Sequence, residues 1–226
     1  VPSLRYSDQM MSHNVTRVLV TVCCMGCLAV LAGCRFSITP PASPADPVTV
    51  YLVDYGDTSR VWLPAAEPGS FVEWGYGDWR WYANDKKSLL YGAVIFIWPT
   101  DGAIARREWA GSPWASTERD RPRDEIDGYA TWVYELPVER SASDALLASL
   151  QARYDAQIET QIYNERRETW FVRDDTSYWL GHQSSSVMAD WLEELGADAS
   201  GFTVKARYRV REPGMAYDVR PLADDE

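Results

Sequence analysis

Beyond position 34 the chain has no cysteine and a single histidine, His182, because Cys23, Cys24, Cys27, Cys34 and His13 all lie at or before that point. The remainder therefore cannot form a disulfide, offers no thiol nucleophile, and has too few imidazoles and thiolates for a zinc or copper site. No metal and no cofactor is expected. Positive charge is also scarce: 22 Lys and Arg against 33 Asp and Glu give a net charge of −11. Such a chain lacks the basic footprint of a nucleic-acid binder, and its overall charge opposes electrostatic adhesion to anionic headgroups. Long apolar runs are missing too. The one near the start, Val18 to Val30, is 13 residues, short of the ~20 needed to span a bilayer.

What that short run has is a context. A polar stretch with Arg17 precedes it, and Leu31-Ala32-Gly33-Cys34 follows it. Small residues before a cysteine suit a signal peptidase that leaves the thiol as the new N-terminus, ready for lipid transfer. Residues 1–33 are expected to be a lipoprotein-type signal peptide, with translation starting at Met10 or Met11, and Cys34 to be the lipidation site. The body would then sit in the cell envelope, held to a bacterial membrane by acyl chains on the extracytoplasmic side. Without residues 1–33, which include Arg5, Arg17 and Asp8, the charge is near −12.

Residues 34–47, rich in Pro, Ser and Ala after the cysteine, are expected to form an unpacked linker. A single globular domain is expected over 48–212, with an acidic frayed tail at 213–226. VTVYLVDY and SRVWLP read as a hairpin turning at Gly56 and Asp57, and FVEW as a third strand followed by a tight glycine-rich connection, GYGDWRWY. YGAVIFIWP has strand length, although its periodicity also permits a buried helix. WVYELPV reads as a strand. From Ala142 the spacing of Ala145, Leu146, Leu150, Tyr154 and Ile158 predicts a long helix. A shorter one is predicted after Ser184 to Ser186, with a serine cap, a stripe of Val187, Met188, Trp191, Leu192 and Leu195, and a stop at Gly196. FTVKARYRV alternates like a half-buried strand. The fold class expected is α+β, a mostly antiparallel sheet with one long and one shorter helix.

Three stretches, in order over roughly residues 48–200, resemble an envelope family known as domain of unknown function 2459, often encoded near urease genes. Gly56-Asp57-Thr58-Ser59-Arg60-Val61-Trp62-Leu63-Pro64 matches a family stretch with histidine where Thr58 stands. Glu73-Trp74-Gly75-Tyr76-Gly77-Asp78, followed by Trp81-Tyr82, keeps the second. Tyr178 to Leu192 matches the third, with Ser184 at the family's cysteine and His182 at an asparagine. A histidine on an early strand and a cysteine opening a later helix is the arrangement of permuted papain-like hydrolases and acyltransferases. A helix N-terminus lowers a thiol's pKa, and an imidazole beside it takes the proton. The resemblance implies a permuted papain-like fold whose two reacting positions are replaced here.

Three functional readings follow. The first is a non-catalytic envelope protein that binds peptidoglycan or another envelope component through a remnant cleft or an aromatic surface. The second is a serine-dependent acyl hydrolase or transferase using Ser184 with His182 as base, Thr58 being unable to serve. The third pairs Glu73 with Asp78 for glycoside cleavage, with Trp74, Trp79 and Trp81 stacking on sugars and Tyr82 nearby. Trp109 and Trp114 extend the aromatic set. Against each stands a plain structural role: a capping serine, turn and core residues, a solvated face. The last also suits Asp174-Asp175, the acidic tail, and the row Lys205, Arg207, Arg209 and Arg211. The leading expectation is a pseudoenzyme.

Overall fold

A computed structural model of the chain describes residues 35–111, 130–203 and 206–219. The expected leader, residues 1–33, the expected lipidation site Cys34, and Trp114, Lys205 and the terminal Asp224, Asp225 and Glu226 lie outside the described residues. The architecture is α+β: the described residues form eleven strands in two sheets, with three α-helices. The large sheet has eight antiparallel strands in the order β11-β6-β2-β3-β4-β5-β8-β7. Their ranges are β2 Pro47–Asp54, β3 Ser59–Pro64, β4 Ser70–Asp78, β5 Thr100–Ala110, β6 Trp132–Glu139, β7 Ile162–Asn164, β8 Thr169–Tyr178 and β11 Met215–Asp218. The small sheet places β1, Phe36–Thr39, between β10, Tyr208–Val210, and β9, Asp198–Gly201. Among the described residues no helix is long and apolar enough to cross a membrane.

Side chains alternate across each strand, so the large sheet has two distinct faces. Val50, Leu52, Val61, Leu63, Trp74, Tyr76, Ile104, Leu136 and Val172 share the main core with two helices. The longer, α2 at Arg140–Ala156, brings Leu146, Leu150 and Tyr154 to that core; the shorter, α3 at Ser184–Glu194, brings Val187, Met188, Trp191 and Leu192. Both are where the helical spacing predicted. The α2 helix ends at Ala156, however, and leaves Ile158 in a short 3₁₀ turn, largely exposed. The α3 helix stops as expected: Gly196, in left-handed backbone at φ +85°, gives its N–H to the Glu193 carbonyl at 2.9 Å. On the other face, Tyr51, Val53, Trp62 and Val133 form a second cluster, in which Trp62 and Trp109 stack at 4.8 Å. Trp79, Ala83, Ala103, Ala105 and Phe171 form a third.

Several expectations need correction. The apolar run YGAVIFIWP is helical: Leu89–Ile97 form α1, started by Ser88, whose Oγ accepts from the Tyr91 amide at 3.1 Å. A serine N-cap ahead of a long apolar run favours a helix where periodicity is silent. Residues 34–47 are not simply a spacer, because Phe36 and Ile38 point into the main core and β1 pairs with β9 and β10. The Ala45 amide also donates to Glu139 Oε2 at 2.7 Å. The fold continues past residue 212, since Met215 to Asp218 pair with β6 along the edge of the large sheet. GYGD prolongs β4 instead of turning. Its glycines serve close approach: a Cβ on Gly77 would stand 2.3 Å from the Tyr82 ring, and one on Gly75 3.1 Å from Arg60 Cγ. Among the described residues of FTVKARYRV, Tyr208 to Val210 are in a strand.

Ile38 decides between spacer and packed strand. It is fully buried, so Ile38→Ala is expected to cost about 2–4 kcal/mol in urea denaturation, where an unpacked linker would show no change.

Candidate functional site

The positions that resemble a papain-like site do not meet. Thr58 and Arg60 have the same strand parity as Trp62, which faces away from α3. Thr58 accordingly lines a crevice of about 10 Å³, the scale of one water, with Arg60, Gly75, Gly77, Tyr82, Ala105 and Phe171. The hydroxyl on the helix side is the next residue's: Ser59 Oγ meets Tyr208 Oη at 2.6 Å. Burial pushes the half-buried Tyr82 hydroxyl up to about 12, although Arg167 opposes the shift. Ser184 is buried in the first turn of α3. The cap is one residue earlier than predicted: Gln183 Oε1 accepts from the Ser185 amide at 3.2 Å, while the Gln183 amide donates to Ser186 Oγ at 2.8 Å. Ser184 instead lies toward Tyr178, whose hydroxyl pKa is raised well above its ordinary value, chiefly by burial, with Ser184 pulling the other way.

His182 is fixed by other partners. It sits in a tight turn in which Trp179 and His182 exchange backbone hydrogen bonds of 2.9 and 3.2 Å. Its Nδ1 is 2.9 Å from the Ser177 carbonyl, which can only accept, so this nitrogen carries the proton. Tyr76 Oη lies 3.2 Å away on the same side and its ring packs edge-on against the imidazole. No hydrogen bond joins His182 to Ser184 among the described residues, so the hydroxyl has no adjacent base.

The carboxylates are also separated. Glu73 and Asp78 are five residues apart on β4, which puts them on opposite faces and about 17 Å apart, beyond the span of a glycosidase pair. Glu73 is buried and accepts from Tyr55 Oη at 2.6 Å and Trp109 Nε1 at 2.8 Å, with Arg60 Nη1 at 3.4 Å. Burial alone would raise its pKa, but Arg60, these two donors and Arg107 together hold it below the ordinary value. Asp78 accepts from the Trp81 amide at 2.7 Å, from Thr100 Oγ1 at 2.5 Å and from Tyr91 Oη at 3.0 Å. Both are structural pins. Of the aromatic candidates, Trp79 is buried beneath Arg173, Trp81 packs against Gly92 of α1, and Trp109 is stacked on Trp62. Asp174 is buried and bonded to Arg153 at 2.8 Å. Among the described residues no group of His, Cys, Asp and Glu could hold a metal.

A different site is present. A cleft of about 780 Å³ opens between the small sheet and the end of the large one, where the β2–β3 hairpin and the start of β6 lie. Arg35, Arg207 and Arg209 line it, with Trp132, Tyr134 and Tyr208 as an aromatic wall and Asp54 and Asp57 at the hairpin. The Trp132 and Tyr134 rings stack at 6.2 Å and 13°. Tyr134 Oη donates to the Tyr208 carbonyl at 3.3 Å, which ties the wall to the small sheet. Neither Arg35 nor Arg209 has an ion-pair partner among the described residues. Burial raises the Asp54 pKa to about 6, against the Gly56 amide, Thr131 and Arg207, which pull it down. Sequence reasoning placed Arg207 and Arg209 on a solvated face and missed Arg35, Asp54, Trp132 and Tyr134. The signal was faint, since segments far apart in the chain contribute one or two residues each.

Comparison with family models, with curated proteins and with solved structures finds no match to this chain.

The two buried carboxylates predict opposite pH effects. Asp54, with a folded pKa near 6 against an ordinary 3.8, keeps a proton that the unfolded chain has lost in that window. Stability should therefore fall as pH rises from about 4 to 6, and Asp54→Asn should remove up to about 3 kcal/mol of that fall. Glu73, held low, contributes stability that is present above its unfolded pKa and lost as pH drops through the folded one. Glu73→Gln should destabilise by about 3 kcal/mol at pH 7 by stranding Arg60, and should flatten the acid limb of a stability profile measured by denaturant titration.

Proposed function

We propose that this chain is a lipid-anchored cell-envelope protein that binds an anionic envelope component, with peptidoglycan fragments the leading class, in the Arg35–Arg207–Arg209 cleft. The observation that carries this reading is the gathering of three arginines and a stacked aromatic wall around one cleft in a chain of net charge −11. Arginine pairs with carboxylates or phosphates in a bidentate fork, and aromatic faces stack on sugar rings, so a charged saccharide satisfies both. The anchor reading rests on Leu31-Ala32-Gly33-Cys34 and the short apolar run before it.

We read the scaffold as a degenerate relative of the envelope family whose motifs it resembles, and of permuted papain-like folds. What supports this is a helix, α3, packed by its apolar stripe against β3 and β4 of an antiparallel sheet, with a serine in its first turn. The role is binding, not acyl transfer: Thr58 is turned to the other face, His182 is tied to Ser177, and Ser184 is buried. The alternative, a serine hydrolase or transferase, would require Ser184 and His182 to rearrange into contact.

Two assays test the proposal. The full-length protein should bind solubilised peptidoglycan fragments, and Arg209→Ala or Trp132→Ala should each weaken binding at least tenfold while leaving the circular dichroism spectrum unchanged. Equal binding by both variants would remove the cleft from the account. A fluorophosphonate probe is expected to leave Ser184 unlabelled; labelling abolished by Ser184→Ala would restore the serine enzyme.

A further inference from the structure

The α1 helix is apolar on every side, a composition that belongs to a core or a membrane, yet it sits at the surface. Its inner side is fastened: Ile95 is buried in the main core, Tyr91 bonds to Asp78, and Trp81 packs on Gly92. The outer side carries Leu90 at 81 % exposure, Val94 at 47 % and Ile97 at 80 %, one stripe at helical spacing, and Trp98 follows at 71 %. Lys86 and Lys87, both exposed, stand just ahead of the helix. Nine residues span about 14 Å, too short to cross a bilayer but long enough to lie in its surface. Apolar residues facing outward, lysines at one end and a tryptophan at the other are the features of an interfacial helix, with lysines among headgroups and the indole at the boundary.

The register shows which way this helix faces. Asp54 pairs with Ser59 and with Trp132, Asp78 with Gly102, and Thr100 with Tyr178, so all of these lie at one end of the large sheet. The α1 helix joins that end between Asp78 and Thr100. Arg35 lines the cleft with Asp54 and Trp132 at the same end, and Cys34 is the residue before it. We infer that this end of the sheet faces the membrane and that α1 inserts its Leu90–Val94–Ile97 stripe into the outer part of the lipid bilayer as a second contact beside the acyl anchor. The inference rests on the lipid-anchor reading for its orientation. The chain is acidic overall, and this end holds Asp54 and Asp57 beside Arg35 and Arg209, so the contact is made by the apolar stripe and not by net charge.

The test uses the native lipoprotein reconstituted in phosphatidylethanolamine–phosphatidylglycerol vesicles. Because the chain after Cys34 has no other cysteine, Ile97→Cys gives a unique site for a nitroxide label. Glu67→Cys, in the exposed β3–β4 turn at the far end of the sheet, is the control. The Ile97 label should collide several-fold more with oxygen than with a water-soluble nickel chelate, and the Glu67 label should show the reverse. An Ile97 label as open to nickel as the Glu67 label would overturn the inference. So would one shielded from both reagents, which would indicate a second copy of the chain. Intact mass of the same preparation reads acylation at Cys34 separately. Missing lipid there overturns the anchor, whereas an acylated protein with a water-exposed Ile97 label overturns this inference alone.

Discussion

The alternation of side chains across the paired strands β3 and β4 is the constraint on which the rest of the structure depends. Arg60 lies opposite Gly75 and Val61 opposite Trp74, so each step of one residue changes the layer to which a side chain belongs. Trp74 and Tyr76 fill the space beneath the helices, and Gly75 and Gly77, which alternate with them, leave the other face open for Arg60 and Tyr82 to lie across the strand. A side chain at either glycine would push these groups off. The same parity separates Thr58 from Ser184 and Glu73 from Asp78. Two catalytic-looking pairs in the sequence are thereby divided between the two sides of one sheet.

The buried polar groups follow from that division. Glu73 on one face requires a positive partner and donors, and finds Arg60, Tyr55 and Trp109. Asp78 on the other gathers Thr100, Tyr91 and the Trp81 amide, which joins β5, α1 and the turn after β4 at one point. Each carboxylate is satisfied by the fold itself. Asp54 differs, since it lines an open cleft, faces arginines and has a pKa moved toward neutrality, a combination associated with sites that meet a ligand.

Much of the fold was legible in the sequence, and the reasons vary by element. The stripe of α3 and its stop at Gly196 were plain because an amphipathic helix over a core repeats at 3.6 residues. The β2–β3 hairpin was plain because two β-rich runs flank Gly56 and Asp57. The helix α1 was not, because a segment apolar all round has no period to read. Strand β1 was hidden in a Pro-rich stretch by its length: four residues with two buried, Phe36 and Ile38, carry little signal, and their partners are far away in the chain. The glycines of β4 looked like turns because a need for close approach and a need for positive φ select the same residue. The cleft was illegible for the reason β1 was: Arg35, Asp54, Trp132 and Arg209 are neighbours only after the two sheets are in place.

The cleft and the segment that carries α1 meet the large sheet at the same end. A ligand held there would lie within reach of Arg35 and Arg209, which have no ion-pair partner among the described residues, and of a stacked Trp132–Tyr134 wall. The most direct measurement is a residue-resolved NMR map of the full-length protein titrated with solubilised peptidoglycan fragments. The expected result is that shift changes concentrate at the Trp132 indole, the Thr131 amide and the Arg209 side chain, with Ser184 and His182 silent. Changes centred on Ser184, His182 and Tyr178, with the arginine cleft unmoved, would contradict the account.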